Sequence, residues 1–210
     1  MIERSIDDRL REEYFKILPN VKRVASQLEA EIKFKLINLS KRLKSYERYE
    51  VSSRIKDCES AVEKLRQDQE GGTFDKEKPD EYSLTQLHDL AGVRVLVFPR
   101  ALVDEVNNIL IEHFEDWTSN PMGILDSDAN SAYKYYGHAS GDNTIYGEVQ
   151  ITPMLTGLFL GVEHFALYKA KPKYKGVAKH PDMNEEKQNV LKALATFEDT
   201  FEKLILENEK

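Results

Sequence analysis

SLTQLHDLAGVRVLVF, residues Ser83 to Phe98, combines a helix-opening signal, a strand signal and two charges at a boundary. Ser83 followed three residues later by Gln86 is a capping-box pattern, so a short helix is expected to open here and to present His88 and Asp89 near its end. Gly92 is expected to break that helix. Val93, Val95 and Val97, with Leu96 and Phe98, then read as a largely buried strand interrupted by a single charge, Arg94. A carboxylate at a strand entrance and a guanidinium inside an apolar run are costly unless polar groups meet them. A nucleotide with its metal is one partner that would meet both.

The surroundings of this strand are those of one ordinary domain. The chain has 210 residues, 40% hydrophobic and 32% charged, enough for long helices and a sizeable core. A net charge of -7 argues against a protein that coats nucleic acid with its whole surface, while leaving room for a local basic patch. Cys58 is the single cysteine, so no internal disulfide forms and a reducing, cytoplasmic compartment is expected. MIERSIDDRLREEYF opens on charge and lacks the apolar core of a secretory signal. The longest apolar tract, Met154 to Tyr168, is interrupted by Glu163 and His164 and is too short and polar to span a bilayer, so no membrane partner is expected.

Upstream, Glu3 to Tyr46 has helical spacing, and two amphipathic helices separated at Pro19 are expected to serve as scaffold or oligomer contact. Tyr49 to Ile55 reads as a short strand and Ser60 to Gln69 as a helix with Ala61, Val62 and Leu65 inward. Arg54, Lys56, Ser60 and Lys64 therefore surround a strand-to-helix turn, with Ser60 and Lys64 one helical turn apart. All four are compatible with phosphate, although surface charge on a turn is common in itself. Gln69 to Glu81, with Gly71, Gly72 and Pro79, is expected to be a mobile loop placed to act as a lid.

Downstream, Pro99 opens a helix over Ala101 to Phe114 whose expected buried face is Val103, Val106, Leu110 and Ile111. Asp116 to Asn130 reads as an irregular connection, and its Asp126 and Asp128 are more simply solvated than cation-binding. Ser131 to Ala139 and Thr144 to Ile151 form a hairpin through Gly141, Asp142 and Asn143. On its second strand Glu148 and Gln150 share one face, and Val149 and Ile151 point into the core. With the hairpin beside the Val93 strand, Glu148 approaches Asp89, and two carboxylates from different strands are a usual way to hold Mg²⁺ against a triphosphate. An amphipathic to buried helix from Met154 to Lys169, a run of five lysines between Lys169 and Lys179, and a final helix from Asn184 to Glu207 complete the chain.

Three separated blocks resemble the synthetase domain of the RelA/SpoT family: SRIKDCESAVEKL (Ser53 to Leu65), LHDLAGVRVLV (Leu87 to Val97) and GEVQITPMLTGLFLGVEHFALYK (Gly147 to Lys169). The resemblance implies a mixed α+β sheet flanked by helices, a nucleotidyltransferase-like synthetase fold with extra N- and C-terminal helices. It divides a single domain, 1–210, into N-terminal helices (1–48), a catalytic core (49–169) and a basic segment with a C-terminal helix (170–210). It also implies transfer of pyrophosphate from ATP to the 3′-hydroxyl of a guanosine nucleotide. Carried over residue by residue, Arg54 and Arg94 look like the pair that sandwiches adenine, a use of cation–π attraction. Lys56, Ser60 and Lys64 look like the phosphate cradle, and Asp89 and Glu148 look like the catalytic Mg²⁺ ligands. An HD-type hydrolase, suggested by His88 beside Asp89, lacks counterparts for its other metal ligands.

The acceptor side departs from the family pattern. Counting back from Glu148 without a gap puts Tyr133 at the tyrosine that stacks on guanine and Lys134 at the following arginine, but Ala132 replaces a glycine and Gly137 a histidine. His138 comes one residue late, and one position along a strand reverses the side chain's face, so His138 substitutes only if the hairpin bulges. Gln150 completes the acceptor set, whereas Thr152 and Pro153 stand where many relatives have arginine and threonine. Three readings follow. A small alarmone synthetase, a possible homo-oligomer through its terminal helices, is the first. The second is a toxin-type relative acting on the tRNA 3′ CCA end or an adenosine nucleotide, with an antitoxin as its natural partner; the lysines 169, 171, 173, 175 and 179 and the tyrosines 135, 136 and 174 support it. The third is a catalytically silent nucleotide sensor.

Overall fold

The computed structural model describes residues 5–122, 132–168, 175–178 and 180–208. Ser5 opens its longest helix by accepting the Asp8 N–H, and α1 runs Ile6–Lys35. Two helices were expected here, yet α1 passes through Pro19. A proline inside a helix costs about 3 kcal/mol. The stripe formed by Leu10, Tyr14, Val21, Val24, Ala25, Leu28 and Ile32 is buried on both sides of it. Burying its large members contributes roughly 1.5–3 kcal/mol each, so one continuous helix outweighs the lost hydrogen bond. A four-residue helix, α2 (Ile37–Ser40), follows.

The sheet has five strands: β1 (Arg48–Ile55), β2 (Ala91–Phe98), β3 (Thr118–Met122), β4 (Ala132–His138) and β5 (Tyr146–Pro153), in the order β1-β2-β5-β4-β3. β2 and β5 run parallel and the other neighbours are antiparallel, so the sheet is mixed, as expected. The edge strand β3 lies where an irregular connection was expected. It carries Pro121, and a short edge strand with a proline has almost no alternation to read.

Strand alternation divides the sheet. One face carries Val51, Val93, Val95, Val97, Val149 and Ile151, all buried, against α1 and α4 (Leu102–Ile111). Ile111, expected on the buried face of α4, is exposed, and Leu102 and Asn107 are buried instead. The opposite face is covered at one end only. There α5 (Met154–Glu163) approaches so closely that a Cβ on Gly157 would come within 2.3 Å of the Leu96 side chain. A π-helical turn, His164–Tyr168, extends α5, and a short α6 (Lys175–Ala178) precedes α7. α7 (Pro181–Asn208) packs on α5 and reaches Tyr46 and Phe98 through the ring of Phe201.

The 69–81 segment, expected to be mobile, is tied to the scaffold. It forms two 3₁₀ turns, Phe74 packs on Tyr82 at 4.8 Å, and Arg9 of α1 donates to the carbonyls of Pro79 and Tyr82 at 2.7 and 2.6 Å.

Candidate functional site

The uncovered end of the second face is where charge gathers. Register places Arg54 of β1, Gly92 of β2, Glu148 of β5 and Tyr136 of β4 in one row across four strands. Ser52, Arg94, Gln150 and Lys134 form the next row on the same face. Gly92, expected to end a helix, lies inside β2. A Cβ there would stand 3.1 Å from Arg54 Cγ and 3.2 Å from its Nε. The bare glycine lets the Arg54 side chain lie across β2, and its Nη2 comes 3.6 Å from Glu148 Oε1.

Glu148 is only 2% exposed, which makes its partners decisive. Lys134 Nζ forms an ion pair with Oε2, and Gln150 Nε2 donates to Oε1 at 2.7 Å. Opposite charge and hydrogen bonds offset the desolvation that an unaccompanied buried carboxylate would suffer. Arg94 stands on this face as well. Burial, and then the charge of Arg54, pull its pKa below the ordinary arginine value, against the opposing pull of Glu148.

Asp89 sits in the turn just before β2, and Lys56 Nζ meets its carboxylate at 2.8 Å. Lys56 is fixed by its backbone, which donates to the Leu90 carbonyl at 3.0 Å and accepts from the Tyr14 hydroxyl at 2.9 Å. The expected helix before Asp89 is a three-residue 3₁₀ turn, Leu84–Gln86. Ser83 does cap it, accepting from Thr85 N–H at 3.3 Å, but Gln86 donates to the Glu81 carbonyl instead of completing the box. Glu13 of α1 is the physical reason: its Oε1 takes both the Ser83 hydroxyl and the Leu84 N–H.

Ser60 and Lys64 lie on α3 (Cys58–Gln67) with local partners. Asp57, the cap of α3, accepts the Ser60 N–H and hydroxyl at 3.0 and 2.9 Å. Lys64 reaches Asp68 one turn on at 2.7 Å. Asp126, Asp128, Lys169, Lys171, Lys173, Tyr174 and Lys179 lie outside the described residues, as does the side chain of Lys175.

The structure divides the expected acceptor-side residues of β4 between the two faces of the sheet. β4 pairs with β5 without a bulge, and Tyr133 stands opposite Ile151, on the face away from Glu148. Its hydroxyl donates to Asp104 Oδ1 at 2.7 Å, and that hydrogen bond pushes the phenol up to about 12. Lys134, Tyr136 and His138 are the β4 residues that share the face of Glu148. His138, expected to substitute only through a bulge, shares the face of Glu148 by simple alternation, two residues beyond Tyr136. Tyr135 is core, 2% exposed, with its hydroxyl on Asn107. Around Tyr136 stands a ring cluster that sequence reasoning missed: His88 stacks on Tyr136 with centroids 4.9 Å apart, and Tyr146 packs on both His88 and His138 at 4.5 and 4.0 Å. These rings come from three separate segments, so only the folded register unites them.

The site thus lies on the open face of a mixed sheet with helices on both sides, where cations from β1, β2 and β4 surround a buried carboxylate. No family model matches the sequence, and no curated protein matches it. Among solved structures, the small alarmone synthetase 1 from Bacillus subtilis is similar with a TM-score of 0.66 and 17% identity, over 94% of this chain and 98% of that chain. The same protein bound to AMPCPP matches with a TM-score of 0.65 at 17% identity, over 94% and 98% of the two chains, and bound to its product pppGpp with 0.66 at 17%, over 95% and 100%. A GTP pyrophosphokinase family protein from Streptococcus pneumoniae matches with 0.60 at 22% identity, over 93% and 92% of the chains. At these identities the shared property is the fold. Among the described residues no helix is long and apolar enough to cross a membrane.

Proposed function

We propose that the protein is an ATP-dependent pyrophosphokinase that transfers the β,γ-pyrophosphate of ATP to the 3′-hydroxyl of GDP or GTP. The observation that carries this reading is the row Arg54, Gly92, Glu148 with Arg94 beside it: two guanidinium groups and a buried acid on one open sheet face. In this reading Arg54 and Arg94 hold the adenine, and Lys56, Ser60 and Lys64 attend the phosphates. Among the described residues no group of three or more His, Cys, Asp or Glu side chains could cage a metal ion. Two carboxylates completed by phosphate oxygens and water suit Mg²⁺, so Asp89 and Glu148 fit it as ligands, and the ion would neutralise charge on the transferring group.

The bond changes balance simply. The acceptor 3′-oxygen bonds to the β-phosphorus, the bond from that phosphorus to the α,β-bridging oxygen breaks, AMP leaves, and Glu148 takes the hydroxyl proton. Alignment and charge neutralisation supply most of the acceleration. The fold of the AMPCPP-bound and pppGpp-bound structures supports both substrates, and the open charged face supports a phosphate-rich donor.

The test is transfer of label from ATP carrying ³²P at its β and γ positions, with Mg²⁺, to GDP, GTP, ADP and deacylated tRNA in parallel, and Glu148→Gln as the blank. Label on a guanosine nucleotide is the expected result. Label on tRNA or ADP alone would replace the acceptor with that of a toxin-type relative. ATP binding without transfer to any of them would leave a nucleotide sensor.

A further inference from the structure

The two carboxylates assigned to Mg²⁺ share a feature that pyrophosphate transfer does not itself require: each already holds a lysine. Lys56 Nζ lies 2.8 Å from Asp89 Oδ2, and Lys134 Nζ is paired with Glu148 Oε2. The other oxygen of Glu148 accepts from Gln150 at 2.7 Å and is approached by Arg54 at 3.6 Å. Arg54, Lys56, Arg94 and Lys134 thus set four cations against two carboxylates, a local surplus of positive charge in a chain whose net charge is -7. Such a surplus attracts a polyphosphate and repels a divalent cation that arrives without one.

The partners at Glu148 are unequal. The acid is buried on β5, whereas the Lys134 side chain is 29% exposed. Lys134 stands opposite Gln150 and reaches the carboxylate diagonally across the sheet face. Its ammonium is a compact charge on a flexible four-carbon stem, so it can leave Oε2 for a neighbouring anion without any movement of β4. The carboxylate, fixed by the strand and by Gln150, stays in place. Asp89 and Lys56 repeat the arrangement at the mouth of β2.

We propose that Lys134 is a tethered counter-ion that Mg²⁺ must displace from Glu148, so that the site takes the metal only together with a nucleoside triphosphate, whose phosphate oxygens receive the released ammonium. Lys134 is then a positioning residue that keeps the metal's place on the acid. A bare dication has to expel the ammonium with no anion to receive it; a metal–triphosphate complex brings that anion with it. The part this plays in turnover rests on the pyrophosphokinase reading, whereas the competition between lysine and metal for Glu148 does not.

Equilibrium dialysis of the full-length protein reads the competition directly, as Mn²⁺ retained by the protein with and without AMPCPP. For the parent, Mn²⁺ alone is expected to bind with a dissociation constant above about 1 mM, and at least about tenfold more tightly with AMPCPP. Lys134→Met should tighten Mn²⁺ alone at least about tenfold by removing one positive charge from the metal's place. Lys134→Gln, which keeps a hydrogen-bond donor for Glu148, should do the same even if Lys134→Met unfolds. Lys134→Arg, which keeps the charge, should stay at the parent's value, and adding Glu148→Gln to Lys134→Met should abolish the gain. Mn²⁺ bound by the parent alone as tightly as with AMPCPP would overturn the assignment. So would no gain in either neutral variant, the same gain in Lys134→Arg, or a gain that survives Glu148→Gln. The two readings fail separately. Label transfer to GDP with Mn²⁺ affinity indifferent to Lys134 removes the counter-ion and keeps the enzyme, and the expected Mn²⁺ pattern with no transfer to any acceptor does the reverse.

Discussion

Glu148 on the sheet and Glu198 on α7 are both nearly sealed from water, at 2% and 1% exposure, yet they live in opposite surroundings. Glu148 has Lys134, Arg54 and Gln150 on its oxygens. Neither oxygen of Glu198 has a hydrogen-bond partner among the described residues. Burial, reinforced by the nearby charge of Glu202, pushes the Glu198 carboxyl up to about 7; the Arg100 charge and the backbone at Leu155 and Arg100 pull the other way, more weakly. Burial depth therefore does not tell these two acids apart. The partners do: the open face spends cations on its carboxylate, while the α5–α7 interface lets its acid take up a proton.

The comparison breaks most visibly at Glu148. Glu148→Gln keeps the shape and the Gln150 neighbour while removing the charge, and transfer of labelled pyrophosphate should fall by about 10²–10³-fold, the usual cost of losing a group that acts on transition-state charge. Undiminished transfer would return Glu148 to the rank of a buried structural acid. Truncating its partner gives a stability effect. Lys134→Met leaves the carboxylate with Arg54 at 3.6 Å and Gln150. Breaking a fully buried pair costs about 3–5 kcal/mol, and since the Lys134 side chain is 29% exposed the expected loss is smaller, about 1–2 kcal/mol in urea unfolding.

Glu198 predicts a gain in place of that loss. Its pKa is raised in the folded state, from 4.5 to about 7, so the fold favours the protonated form. That stabilisation is fully present below pH 4.5 and is lost as the pH rises through 7. Glu198→Gln should match the parent near pH 4.5 and exceed it at pH 8 by roughly 1–3 kcal/mol, read from paired unfolding curves. A constant difference at both pH values would mean that the carboxyl is not the titrating group.

The sheet face was legible in the sequence because strands repeat every second residue: once Val93, Val95 and Val97 pointed inward, Arg94 had to point outward, and the same argument set Glu148 and Gln150 against Val149 and Ile151. Glu198 was invisible for the corresponding reason. In a polar helix such as ATFEDTFEKL, an acid facing inward looks like every acid facing water, and only the packing of α7 on α5 distinguishes them. The continuity of α1 through Pro19 was missed because tertiary burial overrode a local signal, and β3 because a short edge strand with a proline has almost no alternation to read. Gly92 was read as punctuation, whereas its missing side chain is what Arg54 lies across.

The smallest predicted effect tests the register itself. An ungapped count from Glu148 implies guanine stacking by Tyr133, but the pairing of β4 with β5 puts Tyr133 opposite Ile151, and Tyr136 is the tyrosine beside Glu148. Tyr133→Leu retains an apolar side chain of similar bulk against the core and removes both the ring and the hydrogen bond to Asp104. A single surface hydrogen bond contributes about 1 kcal/mol, so a small stability loss is expected, with the KM for the acceptor nucleotide unchanged within about twofold. A tenfold rise in that KM with stability little altered would restore Tyr133 to the acceptor site, and the strand would then have to slip by one residue when substrate binds. Tyr136→Leu supplies the contrast, since loss of a stacking ring costs about 1–3 kcal/mol of base binding while the Asp104 contact stays intact.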